Sequence, residues 1–230
     1  IWGEQYERNM SDLLVTQREI ATAITEKLQM KLSGEATKGI TKAYTDSNEA
    51  YQLYLKGRFS WNKRTSESLK QSLDFYNKAI ENDPGFALAF AALAETYVLF
   101  PNYEVASPAE SMPQAKAAAL RALALDDSLA EAHSALGWYL VQYEYDWKSG
   151  EKELRRAIEL NPNYATAHQW LSSILGQTKR SQDALAEIKR SSDLDPLSPI
   201  IAVNIGFQLF LDRQFDESIE AFRRTLALHP

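Results

Sequence analysis

The 230-residue sequence contains no cysteine, which excludes a disulfide framework, a thiolate metal site and a cysteine nucleophile. It has no surplus of positive charge: 25 Lys and Arg stand against 31 Asp and Glu, a formal charge of −6. A general nucleic-acid or anionic-membrane surface would need the opposite sign, so no nucleic acid is expected as a partner. Long apolar runs are missing too. Ala87 to Leu93 and Pro199 to Val203 fall far below the roughly 20 residues of a membrane-spanning helix. There are three histidines, and no G-x-x-x-x-G-K-S/T loop, G-x-G-x-x-G turn, H-E-x-x-H helix or G-x-S-x-G elbow occurs. No enzymatic activity and no cofactor are therefore expected. What is present is enough apolar content, 45%, to build a folded core.

The apolar residues recur in a long period. Ile80-Glu81-Asn82-Asp83-Pro84, Ile158-Glu159-Leu160-Asn161-Pro162, Ser192-Asp193-Leu194-Asp195-Pro196 and Leu226-Ala227-Leu228-His229-Pro230 end alike, and Leu123-Ala124-Leu125-Asp126-Asp127 joins them with Asp in place of Pro. The steps between terminators are 43, 35, 34 and 34 residues, a spacing that predicts an all-α solenoid of helix-turn-helix units. Within each unit, position seven carries Leu93, Leu136, Leu171 and Ile205, and position eight Ala94, Gly137, Ser172 and Gly206. With position eleven (Tyr97, Leu140, Leu175, Leu209) they mark one face of a first helix. Two small-residue columns, Ser72/Ala115/Gly150/Ala184/Ser218 and Ala79/Ala122/Ala157/Ser191/Thr225, flank Tyr76/Ala119/Leu154/Ile188/Phe222 on a second helix. Small side chains there let neighbouring helices approach closely.

This pattern resembles the tetratricopeptide repeat over about 180 residues, and implies a right-handed α-solenoid. Units are placed at about 49–84, 85–127, 128–162, 163–196 and 197–230. The first has two registers, with Gly57 or Leu55 at position eight. Unit two carries nine extra residues around Phe100-Pro101-Asn102-Tyr103-Glu104-Val105-Ala106, closed by Ser107-Pro108-Ala109-Glu110. That tetrapeptide reads as a capping box with Pro at the first helical position, and Pro113 should disturb the second turn of the helix it starts. Unit one has a shorter extension, Trp61-Asn62-Lys63-Arg64-Thr65. Such extensions are loops, either recognition features or packed-down connections.

Residues 1–48 read as a helical linker, the tail of an upstream domain, with a helix over 11–32 capped by Ser11 and stopped at Gly34. Trp2-Gly3-Glu4-Gln5-Tyr6, Asp12-Leu13-Leu14 and Gln17-Arg18-Glu19-Ile20-Ala21 resemble the tail of the TolB-like domain that precedes tetratricopeptide arrays in bacterial signalling proteins. Tyr51 to Arg58 and Trp61-Asn62-Lys63-Arg64 are similar to the first repeat of those proteins. The resemblance implies a piece of a longer bacterial protein, cytoplasmic or periplasmic, whose effector is a kinase, a cyclase or a winged-helix regulator.

His133 and His168 share repeat position four. A metal or catalytic pair there lacks a third ligand at a suitable spacing, so both are read as structural. The acidic residues at Glu81-Asn82-Asp83 and Asp126-Asp127 are read as turn formers. The functional surface implied by the resemblance is the concave groove, with candidate partner-binding residues Tyr54, Arg58, Glu95, Trp138, Gln142, Gln169, Gln177 and Phe207. Aromatic anchors and amides suit an extended peptide, whereas Glu95 and Trp138 occupy places where a chaperone-tail clamp needs Lys and Asn. The expected role is a non-catalytic protein-interaction or sensory scaffold that regulates an upstream signalling domain. The alternatives are small-molecule sensing in the groove or the 98–112 loop, and homo-oligomerisation through the apolar face of unit five.

Overall fold

A computed structural model describes residues 44–228, together with Thr16, Glu19 and Ile20. Those three isolated residues are helical. The rest of the helix expected over 11–32, the stretch Trp2 to Tyr6 that carries part of the TolB-like resemblance and the terminator His229-Pro230 lie outside the described residues.

Within residues 44–228, ten α-helices follow one another: α1 (Asn48–Asn62), α2 (Ser66–Asn82), α3 (Ala87–Tyr97), α4 (Pro108–Leu125), α5 (Ala130–Gln142), α6 (Trp147–Leu160), α7 (Ala165–Gln177), α8 (Ser181–Leu194), α9 (Pro199–Leu211) and α10 (Phe215–Leu228), with a 3-10 turn at Phe100–Tyr103. No strand occurs among the described residues. Each odd-numbered helix packs on the even-numbered helix that follows it, and successive odd-numbered helices also touch one another. This is a solenoid in which the first helices of the units line one face.

The terminators act through backbone geometry. Asp83, Asp126, Asn161 and Asp195 all leave the helix with φ between −156° and −138°. A following proline forces that extended conformation at three of them. At Asp126, which precedes Asp127, the side chain does part of the same work: Asp126 Oδ1 accepts from Ser128 N at 3.1 Å. Asp83 Oδ1 and Asn161 Oδ1 make equivalent bonds to Gly85 N and Asn163 N, at 2.9 and 3.1 Å. The acidic residues singled out at these ends are thus turn formers.

The small-residue columns sit where helices cross. All ten of their residues are buried, and in unit three the backbones meet: a Cβ on Gly150 would lie 2.8 Å from Gly137 O and 2.3 Å from Val141 Cγ2. Units four and five use a hydroxyl at the same crossing, with Ser172 Oγ donating to Ala184 O at 2.7 Å and Ser218 Oγ to Gly206 O at 2.8 Å. Unit one resolves its register in the same way. A Cβ on Gly57 would strike Tyr76, as one on Gly137 would strike Leu154 and one on Gly206 would strike Phe222. Gly57 therefore holds position eight, which puts Lys56 at the exposed position seven.

The unit-two extension is packed down. Val98, Leu99 and Phe100 are all buried, in one cluster with Trp61, Leu69 and Met112. Ser107 accepts from Glu110 N, Glu110 Oε2 accepts from Ser107 N at 2.9 Å, and α4 begins at Pro108. The disturbance expected at Pro113 is absent, since α4 runs through it. The proline loses one bond, to the first-turn carbonyl of exposed Ala109, where water replaces it at little cost.

Candidate functional site

The turn between the helices of unit one carries Trp61 on the last turn of α1, and Arg64 in the left-handed region at φ 54°. Each later unit repeats this reversal with a non-glycine residue at positive φ: Glu104, Tyr145, Lys179 and Arg213. In unit one the reversal folds Arg64 back over the Trp61 ring, its guanidinium carbon 3.5 Å from the ring centroid, while Arg58 lies over the same ring at 4.4 Å.

Across from this turn stands the start of units four and five. Together they enclose a cleft of about 300 Å³, walled by Arg58, Trp61, Asn62 and Arg64 on one side. Tyr164, Thr166, Gln169, Asp195, Leu197 and Pro199 to Ile201 complete its lining. Residues more than 100 positions apart thereby share one site on the face lined by the odd-numbered helices.

Behind the cleft lies a charged cluster. Arg58 Nη1 donates to Glu95 Oε2 at 2.7 Å, and the Tyr164 hydroxyl donates to Glu95 Oε1. Glu95 has no exposed surface, whereas the Arg58 side chain keeps 22%. Burial raises the Glu95 carboxyl above its ordinary value against the opposing pull of Arg58 and Tyr164. Burial, then the neighbouring Glu95 charge, holds the Tyr164 phenol well above its own. Desolvation pulls Arg58 down, but the Glu95 charge together with Tyr54, Tyr164 and Tyr76 overcomes it, and the net shift is well upward. Arg64 differs: among the described residues it makes no ion pair, and burial lowers it to about 10. The Trp61 indole N–H is buried without an acceptor.

The candidate residues separate into three groups. Arg58 and Gln169 line the cleft. Tyr54, Glu95 and Trp138 are buried: Tyr54 packs on Tyr76 and Phe86, and Trp138 stacks on Trp170 with centroids 5.3 Å apart. The expectation that Glu95 and Trp138 face a partner is therefore corrected. Both oxygens of Glu95 are bonded internally, and the next first helix, α7, brings Trp170 against Trp138. Gln142, Gln177 and Phe207 retain exposed surface and do not line the cleft. Arg64 was visible in the sequence only as part of the unit-one extension; its role depends on the left-handed turn and on units four and five.

The two paired histidines are structural. His133 Nδ1 lies 2.6 Å from Glu153 Oε2 and its Nε2 3.1 Å from Asp127 O, and His168 repeats this with Glu187 and Pro162 O. Each ties a first helix to its second helix and to the preceding turn. Among the described residues no group of three or more His, Asp or Glu is disposed to hold a metal, and no helix is long and apolar enough to cross a membrane.

No protein-family model matches the chain. Among solved structures it is similar to a thermophilic tetratricopeptide-repeat protein of Thermus thermophilus, with TM-score 0.62 and 16% identity over 79% of this chain and 92% of that one. The fold is thus the tetratricopeptide-repeat solenoid. Among curated proteins it is 30% identical over 138 residues to "Putative adenylate cyclase 3" of Rhizobium meliloti, covering 59% of this chain and 23% of that protein. It is 25% identical over 158 residues to the transcriptional regulator HilA of Salmonella typhimurium, covering 68% and 28%. The chain spans about a quarter of the length of these curated relatives.

Proposed function

We propose that this array is a protein-interaction module that takes an extended partner segment along the face lined by its first helices, with the cleft between unit one and units four and five as its anchor point. The observation that carries this reading is the cleft itself. It combines an aromatic wall with amide, hydroxyl and guanidinium groups, the mixture that fixes and orients a peptide. Gln142 and Gln177 extend the polar lining beyond it. The module serves a longer protein whose effector lies outside the matched region; the cyclase and the transcriptional regulator, each matched over about a quarter of its length, support that reading.

The test is selection of dodecamers from a random peptide display library on the wild-type chain. Selected peptides should lose affinity by about tenfold or more for Asn62→Trp, which fills the cleft from an exposed position. Leu120→Ala, an exposed position on α4, should leave them unaffected. Equal binding by Asn62→Trp, with its circular dichroism unchanged, refutes the proposal.

A second reading rests on unit five. Phe207, Phe210, Phe215, Ile219 and Leu226 are each between 47% and 67% exposed, an apolar surface of the kind that a second copy covers. Light scattering across a concentration range of about a hundredfold, with Phe210→Asp as the control, tests it. A monomer throughout ends this reading.

A further inference from the structure

We propose that the cleft between unit one and units four and five recognises a side-chain carboxylate, an aspartate or glutamate of the segment docked in the groove, and that Arg64 is the residue that binds it. This rests on the groove reading above and adds the chemistry of what the groove selects.

The charges within the cleft decide the sign. Arg58 is already answered by Glu95 at 2.7 Å, so that pair contributes no net charge. Arg64 lines the same cleft with no carboxylate of its own among the described residues, its guanidinium carbon over the Trp61 ring, 3.5 Å from the centroid. Asp195, the opposing charge among the lining residues, is exposed, so water screens it. The inner wall therefore carries one surplus cation. Stacking uses the face of the guanidinium and leaves its N–H edge available, the edge that pairs with a carboxylate in a two-bond fork.

The neighbouring groups are also donors. Asn62 and Gln169 bring amide N–H groups, and Thr166 a hydroxyl, to the same cleft. A carboxylate, which only accepts when ionised, is the complement of such a wall. Its source is a side chain rather than a chain end, because polar groove positions continue past the cleft at Gln142 and Gln177, so a segment crosses the cleft instead of stopping in it.

Dodecamers selected on the wild-type chain are synthesised with blocked ends, with each acidic residue replaced by its amide in turn, and with free carboxy termini. Binding is measured by fluorescence polarisation to wild type and to Arg64→Gln, which keeps an unbranched polar side chain at the same backbone position. One acidic-to-amide change should weaken binding to wild type by about tenfold or more, and should have no effect on Arg64→Gln. Equal penalties in both proteins overturn the assignment to Arg64. A loss that follows blocking of the terminus instead of a side-chain change replaces the proposal with chain-end capture. Selected peptides that are lost in Asn62→Trp but indifferent to acidic residues overturn the carboxylate and leave the groove reading standing. If no peptide is selected, both readings fail.

Discussion

Arg58→Met is the perturbation that tests whether a buried charge pair organises the concave face. Arg58 Nη1 stands 2.7 Å from Glu95 Oε2, and Glu95 is wholly enclosed. Two unit charges about 4 Å apart attract by about 4 kcal/mol at an effective dielectric near 20, and deleting one partner of a buried pair costs about 3–5 kcal/mol. Because Arg58 keeps 22% of its side-chain exposure, the expected loss is at the lower end, about 3 kcal/mol. In an array of this length that corresponds to a fall in Tm of about 6–12 °C. Tyr164 joins unit four to Glu95 of unit two, so the loss should register in the main unfolding transition rather than in fraying of one end.

The pH dependence carries a sign. Burial raises the Glu95 carboxyl above its ordinary value, so the folded chain holds that proton more tightly than the unfolded one. The stability this gives is fully present below the unfolded carboxylate range and is lost as pH rises through the folded value. Removing Arg58 strands the carboxylate and raises it further, so the deficit against wild type should grow as pH rises above the ordinary carboxylate range. Arg58→Met/Glu95→Leu/Tyr164→Phe removes every member of the cluster and should recover most of the loss, since apolar replacement of a buried pair is neutral or stabilising. The assay is urea denaturation followed by circular dichroism at fixed salt. A deficit that is the same at every pH, or no recovery in the triple variant, refutes the reasoning.

Three further outcomes are expected from the same assay. Gly150→Ala places a methyl 2.3 Å from Val141 Cγ2 and 2.8 Å from Gly137 O; since one contact is backbone, it should cost about 1–3 kcal/mol, whereas no loss would mean the α5–α6 crossing is loose. Lys179 is exposed with φ 62°, and Lys179→Gly should gain up to about 1 kcal/mol by removing left-handed strain; a loss would mean that its side chain contributes to the turn. Ser107→Ala removes the N-cap of α4 and should cost about 1 kcal/mol, an unchanged midpoint showing that the packed-down extension alone fixes the helix start.

The parts of the structure that repeat were readable, because a repeat states the same constraint several times. Gly137, Ser172 and Gly206 share a column since the helix crossing recurs, and Asp83, Asn161 and Asp195 share another since each precedes a proline. Position eight in unit one is settled by the contact of Tyr76 with Gly57 rather than by the column, because the flanking Lys56 does not look like a core residue. Tyr164 and Glu95 are 69 residues apart, on different units and at different repeat positions, so no period predicts their bond. Trp138 misled for the opposite reason. Its repeat position faces the groove in an ideal unit, but Trp170, set by the sequence of the next unit, packs against it.

This division explains where the site had to come from. Columns that recur in every unit build the solenoid, and a side chain bound by that symmetry cannot make one position of the groove differ from the rest. Arg64 escapes it: the left-handed reversal recurs at Tyr145, Lys179 and Arg213, but only in unit one does an aromatic ring beneath it hold an arginine against the far end of the array. A half-buried guanidinium without a carboxylate partner is a cost to folding, and Glu95, a nearby acidic residue, is engaged by Arg58 and Tyr164. The cluster behind the cleft thus engages Glu95 and leaves Arg64, among the described residues lining the cleft, the cation without a carboxylate partner, which is the premise of its proposed role.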